Sequence, residues 1–199
     1  MSEPTLKEKI IQATLTELEA VEVSQISLRK IAKQLNVTAQ APYHYFPTKD
    51  ALLMEIKIRA LEGLNQRWKN INIEEPDLVK RMENLGLTYA DYYYNNAGYY
   101  KVMKHRMKID EQLKVEIKRA RHTFISVAES IIDHYKIKSL SAEYLTLMCW
   151  SSIHGMIDLH LQSMISIDDL KPKDIPFSYI AKQLVNTIST LINNMAVAD

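Results

Sequence analysis

Apolar residues recur along this chain at helical rather than alternating spacing. Leu6, Ile10, Leu15, Leu18 and Val21 predict a first helix running to about Glu22, with Thr5 and Glu8 placed as a capping box. Leu28, Ile31, Ala32 and Leu35 then fall at i, i+3, i+4 and i+7, so one face of a second, short helix is buried and Arg29, Lys30 and Lys33 stay wet. Ser27 stands where it can cap that helix. Asn36 follows the last apolar position, where a left-handed residue ends many helices and Asn is the best substitute for Gly. Val37 can plug the turn, Thr38 can cap the next helix, and Pro42 is tolerable in a first turn. Pro47 stops that helix and biases Phe46 away from the α region. Two helices on a tight turn, the second short and carrying exposed Gln, Tyr and His, form the helix-turn-helix pattern of DNA readers.

The periodicity stays helical beyond this pair. Thr48 is placed to cap a long helix through Leu52, Leu53, Ile56, Ala60, Leu64 and Trp68, and Asn70 to Pro76 reads as the linker after it. Further stripes run through Leu78, Met82, Leu85, Tyr89 and Tyr92, then Leu113, Ile117, Phe124, Val127, Ile131 and Ile132, then Leu145 to Met164 and Tyr179 to Met195. Breaks fall at Asn95 to Gly98, around Ile109-Asp110, at Lys138-Ser139, and across Ile167 to Pro176. No segment alternates as a strand does. The expectation is an all-α chain of about nine helices: a DNA-binding domain over 1–48 and a helical effector-binding and dimerisation domain over 49–199.

Asn36-Val37-Thr38, followed by Ala41-Pro42-Tyr43-His44-Tyr45-Phe46-Pro47-Thr48-Lys49-Asp50-Ala51-Leu52-Leu53, resembles the DNA-binding signature of TetR-family (tetracycline-repressor-like) transcriptional regulators. The likeness is colinear from Thr5 to Leu53. Asn36 departs from it, since the family usually has Gly there, and the left-handed tolerance of Asn makes the departure mild. The resemblance implies that the tyrosine and Lys49 sit on the DNA backbone.

Composition narrows the chemistry. The 199 residues suffice for a real core, and 47% hydrophobic with 25% charged residues is ordinary for a globular protein. A net charge of +1 gives no global nucleic-acid signal, yet Ser24 to Lys49 holds Arg29, Lys30, Lys33 and Lys49 without one acid. On the short helix Pro42 and Phe46 should face inward, leaving Ala39, Gln40, Tyr43 and His44 outward. Gln40 can pair with adenine in the major groove, while the methyls of Ala39 and Thr38 can meet thymine. Arg29 is the nearest candidate for guanine, Tyr43, His44 and Lys49 carry donors for phosphates, and Ser27 and Tyr45 complete the DNA-facing set. The lone Cys149 excludes an internal disulfide, and no apolar run of membrane-spanning length exists, so a cytoplasmic protein without membrane association is expected.

The C-terminal part carries Trp150-Ser-Ser-Ile-His154-Gly155, which resembles a Trp-x-x-x-His-Gly motif in one branch of the family. Its helix reads as apolar on two faces, Trp150, Ile153, Ile157, Leu161 and Met164 on one, Leu145, Cys149, Met156 and His160 nearer the other. Gly155 removes a Cβ where another helix can approach. The last helix offers Leu184, Ile188, Leu191, Ile192 and Met195, and the expectation, which the resemblance shares, is a homodimer in which these two helices meet their copies. His154 lies one turn from Trp150 and Asp158, and its simplest role is a buried histidine bonded to a neighbouring carboxylate. Neither a metal nor a cofactor is expected.

Six tyrosines from Tyr89 to Tyr100, with adaptable methionines nearby, suggest an effector pocket for a small apolar or cationic organic molecule. Its candidates are Tyr89, Tyr92, Tyr93, Met103, Met107, Phe124, Trp150, His154 and Asp158. The run from Lys101 to Arg121, with eight Lys and Arg against three acids, reads as a solvated face. The expected function is a repressor that leaves a palindromic operator when an effector binds; the alternative is an effector-independent activator or architectural DNA-binding protein. An enzyme using Asp158 and His154 lacks a placed nucleophile and a glycine-rich phosphate loop, so no catalysis is expected.

Overall fold

A computed structural model describes residues 3–161 and 177–198. Among them are nine α-helices and no strand: α1 (Leu6–Ala20), α2 (Leu28–Gln34), α3 (Ala41–Tyr45), α4 (Lys49–Glu74), α5 (Leu78–Tyr94), α6 (Ala97–Lys104), α7 (Glu111–Tyr135), α8 (Ala142–Leu161) and α9 (Phe177–Ala198). The expected break across Ile167 to Pro176 and the residues His160 and Met164 lie wholly or in their side chains outside the described part. The all-α expectation holds. Two compact units form, Met1–Glu62 with Asn96–Glu116, and Gly63–Asn95 with Ile117–Asp199.

Caps account for most helix starts. The hydroxyl of Thr5 accepts from the Glu8 N–H at 3.3 Å, and that of Thr48 accepts from Ala51 at 3.1 Å. Asp77, Asp110 and Ser141 do the same for Lys80, Leu113 and Tyr144. The Asn70 to Pro76 linker is shorter than expected, because nothing before Pro76 breaks the helix and α4 continues to Glu74.

The first unit closes on Ile10, Leu18, Ile31, Phe46, Leu52, Leu53, Ile56 and Val102, all buried. Helix α6 belongs to it for three separate reasons. Gly98 lets its backbone approach α1, since a Cβ there would stand 3.0 Å from the Leu15 carbonyl oxygen. The Lys101 ammonium donates to the Val21 carbonyl at 3.1 Å, supplying the cation that the C-terminal turn of α1 lacks. Lys57, buried on α4, donates to the His105 carbonyl at 2.7 Å at the end of α6. The compact unit therefore extends past the residue-48 boundary expected from sequence.

The second unit has an aromatic centre. Trp68 is fully buried, donates its indole N–H to the Leu85 carbonyl at 3.0 Å, and stacks on Tyr89 with centroids 6.0 Å apart. Tyr93 and Phe124 complete the cluster, and Trp150 lies 5.9 Å from Phe124.

Candidate nucleic-acid interface and C-terminal cavity

The turn between α2 and α3 is built by Asn36. Its φ of 54° is left-handed, and the Val37 and Asn36 N–H groups return to the carbonyls of Ala32 and Lys33 at 3.0 and 3.1 Å. That pair of bonds is a Schellman ending, and it reverses the chain in two residues. Two capping expectations, one on each side of this turn, fail. Ser27 holds the N-cap position of α2 without a side-chain cap bond. Thr38 does not cap α3 with its hydroxyl, because its backbone carbonyl already takes the Ala41 N–H at 3.0 Å; the helix starts after Gln40. Pro42 contributes no N–H for a cap to satisfy.

The short helix is anchored by Pro42 and Phe46, both buried, as the one-turn spacing requires. Arg29, Thr38, Ala39, Gln40, Tyr43, His44 and Tyr45 are exposed, and Ser27 is half-buried. Tyr43 and Tyr45 keep 37% and 45% of their surface in solvent, which aromatic rings do not do for packing. The outward set is thus assembled on one unit and lies beside three exposed basic groups of α2, Arg29, Lys30 and Lys33, with no acid on α2 or α3. Lys49 has a part that spacing did not reveal. Its ammonium donates to the Val23 and Ser24 carbonyls at 3.1 and 3.0 Å, tying the start of α4 to the turn before α2, and one of its three protons remains for another acceptor.

In the second unit, Tyr89, Tyr92, Tyr93 and Phe124 are buried, while Trp150, His154 and Asp158 are half-buried. The Tyr89 hydroxyl of α5 lies 2.6 Å from the His154 Nε2, a hydrogen bond that joins α5 to α8. Tyr92 carries the Arg67 guanidinium on its ring at 4.6 Å. Met103 and Met107 lie in the first unit, where Met107 packs against the helix-turn-helix core. A separate small recess of about 10 Å³, partly open to solvent and with room for about one water molecule, is lined by Met82, Phe124, Ile153, Glu83, Cys149 and Ser189 among others. Of the residues expected to hold an effector, Phe124 is on its wall. Glu83 and Ser189 are polar positions on otherwise apolar stripes, and sequence spacing gave no reason to single them out. Burial pushes the Cys149 thiol up to about 11.

The faces of α8 divide differently from the two expected stripes. Leu145, Cys149, Ile153 and Ile157 are buried together, whereas Tyr144, Leu147, Met148 and Leu159 are exposed, Leu147 by 61%. Beyond its chain neighbours and the backbone of its own helix, no described atom lies within 4 Å of a Cβ built on Gly155.

These elements define a helix-turn-helix DNA-binding fold followed by a helical unit. Residues 10–56 match the family described as bacterial regulatory proteins, tetR family, so the N-terminal part carries the DNA-binding fold of TetR-family transcriptional regulators. A 101-residue stretch is 30% identical to the nucleoid occlusion factor SlmA of Aliivibrio fischeri (strain MJ11), over 50% of this chain and 52% of that protein. The chain thus spans about half the length of the curated relatives it matches. A TetR-family transcriptional regulator from Bordetella parapertussis 12822 superposes with a TM-score of 0.72 at 16% identity, covering 94% of this chain and 95% of that one. The transcriptional regulator FadR from Bacillus subtilis, solved with stearoyl-CoA, gives 0.68 at 18% identity over 93% and 96%. The likeness of fold therefore runs through both units. No helix among the described residues is long and apolar enough to cross a membrane.

Proposed function

We propose that the chain is a homodimeric, sequence-specific transcriptional regulator, a repressor that leaves a palindromic operator when a small organic effector occupies its C-terminal unit. The observation that carries this reading is the short helix α3, which buries Pro42 and Phe46 and turns Gln40, Tyr43 and His44 to solvent. A five-residue helix held by its own core, with a bidentate amide and two ring donors outward, suits a major groove. The fold shared with FadR, a regulator solved with an acyl-CoA, supports an effector site in the helical half.

Helix α4 supplies residues to both compact units, so an effector that prefers one arrangement of the C-terminal helices acts on the DNA-binding head through a continuous element. A dimer bound to successive major grooves needs its recognition helices roughly 34 Å apart, and a change in that spacing lowers affinity. The Trp150-x-x-x-His154-Gly155 branch belongs to the same proposal. The test is gel retardation on the DNA upstream of the chain's own reading frame at modest salt. Retention of a palindromic segment, competed by itself and not by scrambled DNA, is expected; no retention of any palindrome discards the reading.

A further inference from the structure

Between α6 and α7 the chain of the first unit runs without regular structure over residues 106–110. Met107 fixes this segment from beneath by packing on the helix-turn-helix core, while Arg106, Lys108 and Ile109 are exposed. It offers three kinds of group that find no partner among the described residues. No backbone N–H or carbonyl of residues 106–109 makes a hydrogen bond to the rest of the chain, so donors and acceptors alike stay open. No ion pair engages Arg106 or Lys108, and the two acids that follow are already employed. Asp110 Oδ1 accepts the Leu113 N–H at 2.7 Å as the cap of α7, and Glu111 pairs with Lys114 at 2.6 Å. Ile109 and Val115 keep 46% and 53% of their surface in solvent. Chain reach and helix rise put their Cα atoms within about 14 Å of each other.

We infer that residues 106–115 are a docking surface for an acidic protein segment bound in extended form. Its backbone pairs with residues 106–109 as a strand adds to a sheet edge, its carboxylates meet Arg106 and Lys108, and an apolar side chain covers Ile109. Charge and backbone pattern together select this occupant. The phosphates of a nucleic acid would satisfy the two cations, but they bring no N–H for the open carbonyls and no apolar group for Ile109 and Val115. Main-chain bonds then carry most of the affinity, since exposed ion pairs add little each, and a dissociation constant on the order of 10–100 µM is expected. Arg106, Lys108, Ile109 and Val115 belong neither to the DNA-facing set nor to the effector candidates, so the inference stands independently of both.

The probe is a peptide of about ten residues alternating glutamate with leucine, titrated into the isotope-labelled full chain at about 0.1 M salt and followed by amide resonances. Signals of residues 106–109 should move, and their hydrogen exchange should slow about tenfold at saturation. Reversing both charges, Arg106→Glu with Lys108→Glu, should raise the dissociation constant at least about tenfold. Ile109→Ser leaves the charges alone and should raise it about threefold. Melting curves matching that of the parent show that these exposed substitutions leave the fold intact. A control peptide with lysine in place of glutamate should not bind, and retention of operator DNA should be the same for parent and charge-reversed chain. No binding at millimolar peptide, shifts confined to residues outside 106–115, equal binding of the lysine peptide, or an affinity that survives charge reversal overturns the inference. Weaker DNA retention by the charge-reversed chain, with the peptide displaced by unrelated duplex, overturns it too and makes this a phosphate-binding surface.

Discussion

Asn36 and Lys136 both adopt left-handed backbone, with φ of 54° and 55°, and both end a helix with the same return of an N–H to a carbonyl five residues back. Only the first was legible in the sequence. Asn carries a recognised tolerance for this conformation, whereas Lys has none, and the α7 ending is set by the tertiary path rather than by its residue. The two should respond differently to glycine. Lys136→Gly should gain about 1 kcal/mol in urea unfolding, and Asn36→Gly only about half of that, because Asn already bears the conformation at lower cost. The same contrast between visible and hidden roles holds for Gln40 and Lys49. Gln40→Ala should leave stability unchanged within about 0.5 kcal/mol and relax base choice at one operator position. Lys49→Ala should weaken binding to every sequence, reduce the salt slope by about one unit if its remaining proton meets a phosphate, and also lower stability, since Val23 and Ser24 lose their tie. Binding isotherms at several salt concentrations, beside melting curves, separate these effects.

Helix existence and order were readable from periodicity because each stripe is long and each turn has a cap or a breaker. The allegiance of α6 was not, since it depends on Gly98, Lys101 and Lys57 meeting partners far away in sequence. Gly98→Ala presses a methyl on the Leu15 carbonyl of α1, and a backbone atom yields less readily than a side chain. A loss of about 1–3 kcal/mol is expected, read as a lower midpoint in denaturant. The packing of α4 on α1 has an electrostatic counterpart that responds to pH. Hydrogen bonds from Arg59 hold the Glu8 carboxyl below its ordinary value; for Glu55, burial pushes upward but Lys7 and Arg59 together outweigh it. Both carboxylates therefore bind protons less readily folded than unfolded. Their contribution is present above the unfolded value of about 4.5 and is lost as pH falls below it. Glu8 is well exposed, so solvent screening keeps the whole cluster to about 1 kcal/mol. Arg59→Met should flatten the decline of stability between about pH 5 and 3 while changing the value at pH 7 by no more than that amount, as acid melting curves would show.

At the scale of the molecule, α8 and α9 pose the largest unanswered demand on surface chemistry. The exposed positions of α8 include Tyr144, Leu147, Met148, Ser151, Ser152, Gly155 and Leu159 with a single charge, Glu143; those of α9 include Tyr179, Thr187, Thr190 and Leu191 with a single charge, Lys182. Sequence periodicity reads α8 as a helix that needs two partners, but it divides the faces in a different register from the buried one, because a helix apolar almost all round gives no polar stripe to orient it. Depletion of charge with retention of aromatic and aliphatic side chains is the composition of an interface core, which fits the proposed pairing of two copies. A twofold arrangement presents each substituted residue twice. Leu147, with 61% of its surface exposed in the single chain, is the sharpest probe. Leu147→Glu leaves the buried side of α8 untouched, so each chain should melt within about 0.5 kcal/mol of the parent when compared as monomers. In the dimer it replaces two apolar contacts of about 1.5–3 kcal/mol each by two apposed carboxylates, which should raise the dissociation constant by at least about a hundredfold. Sedimentation at micromolar concentration should then show monomer where the parent shows dimer, and retention of a palindromic site should fall while a single half-site is held about equally by both proteins. A variant that sediments as the parent does would move the dimer contact away from this face of α8.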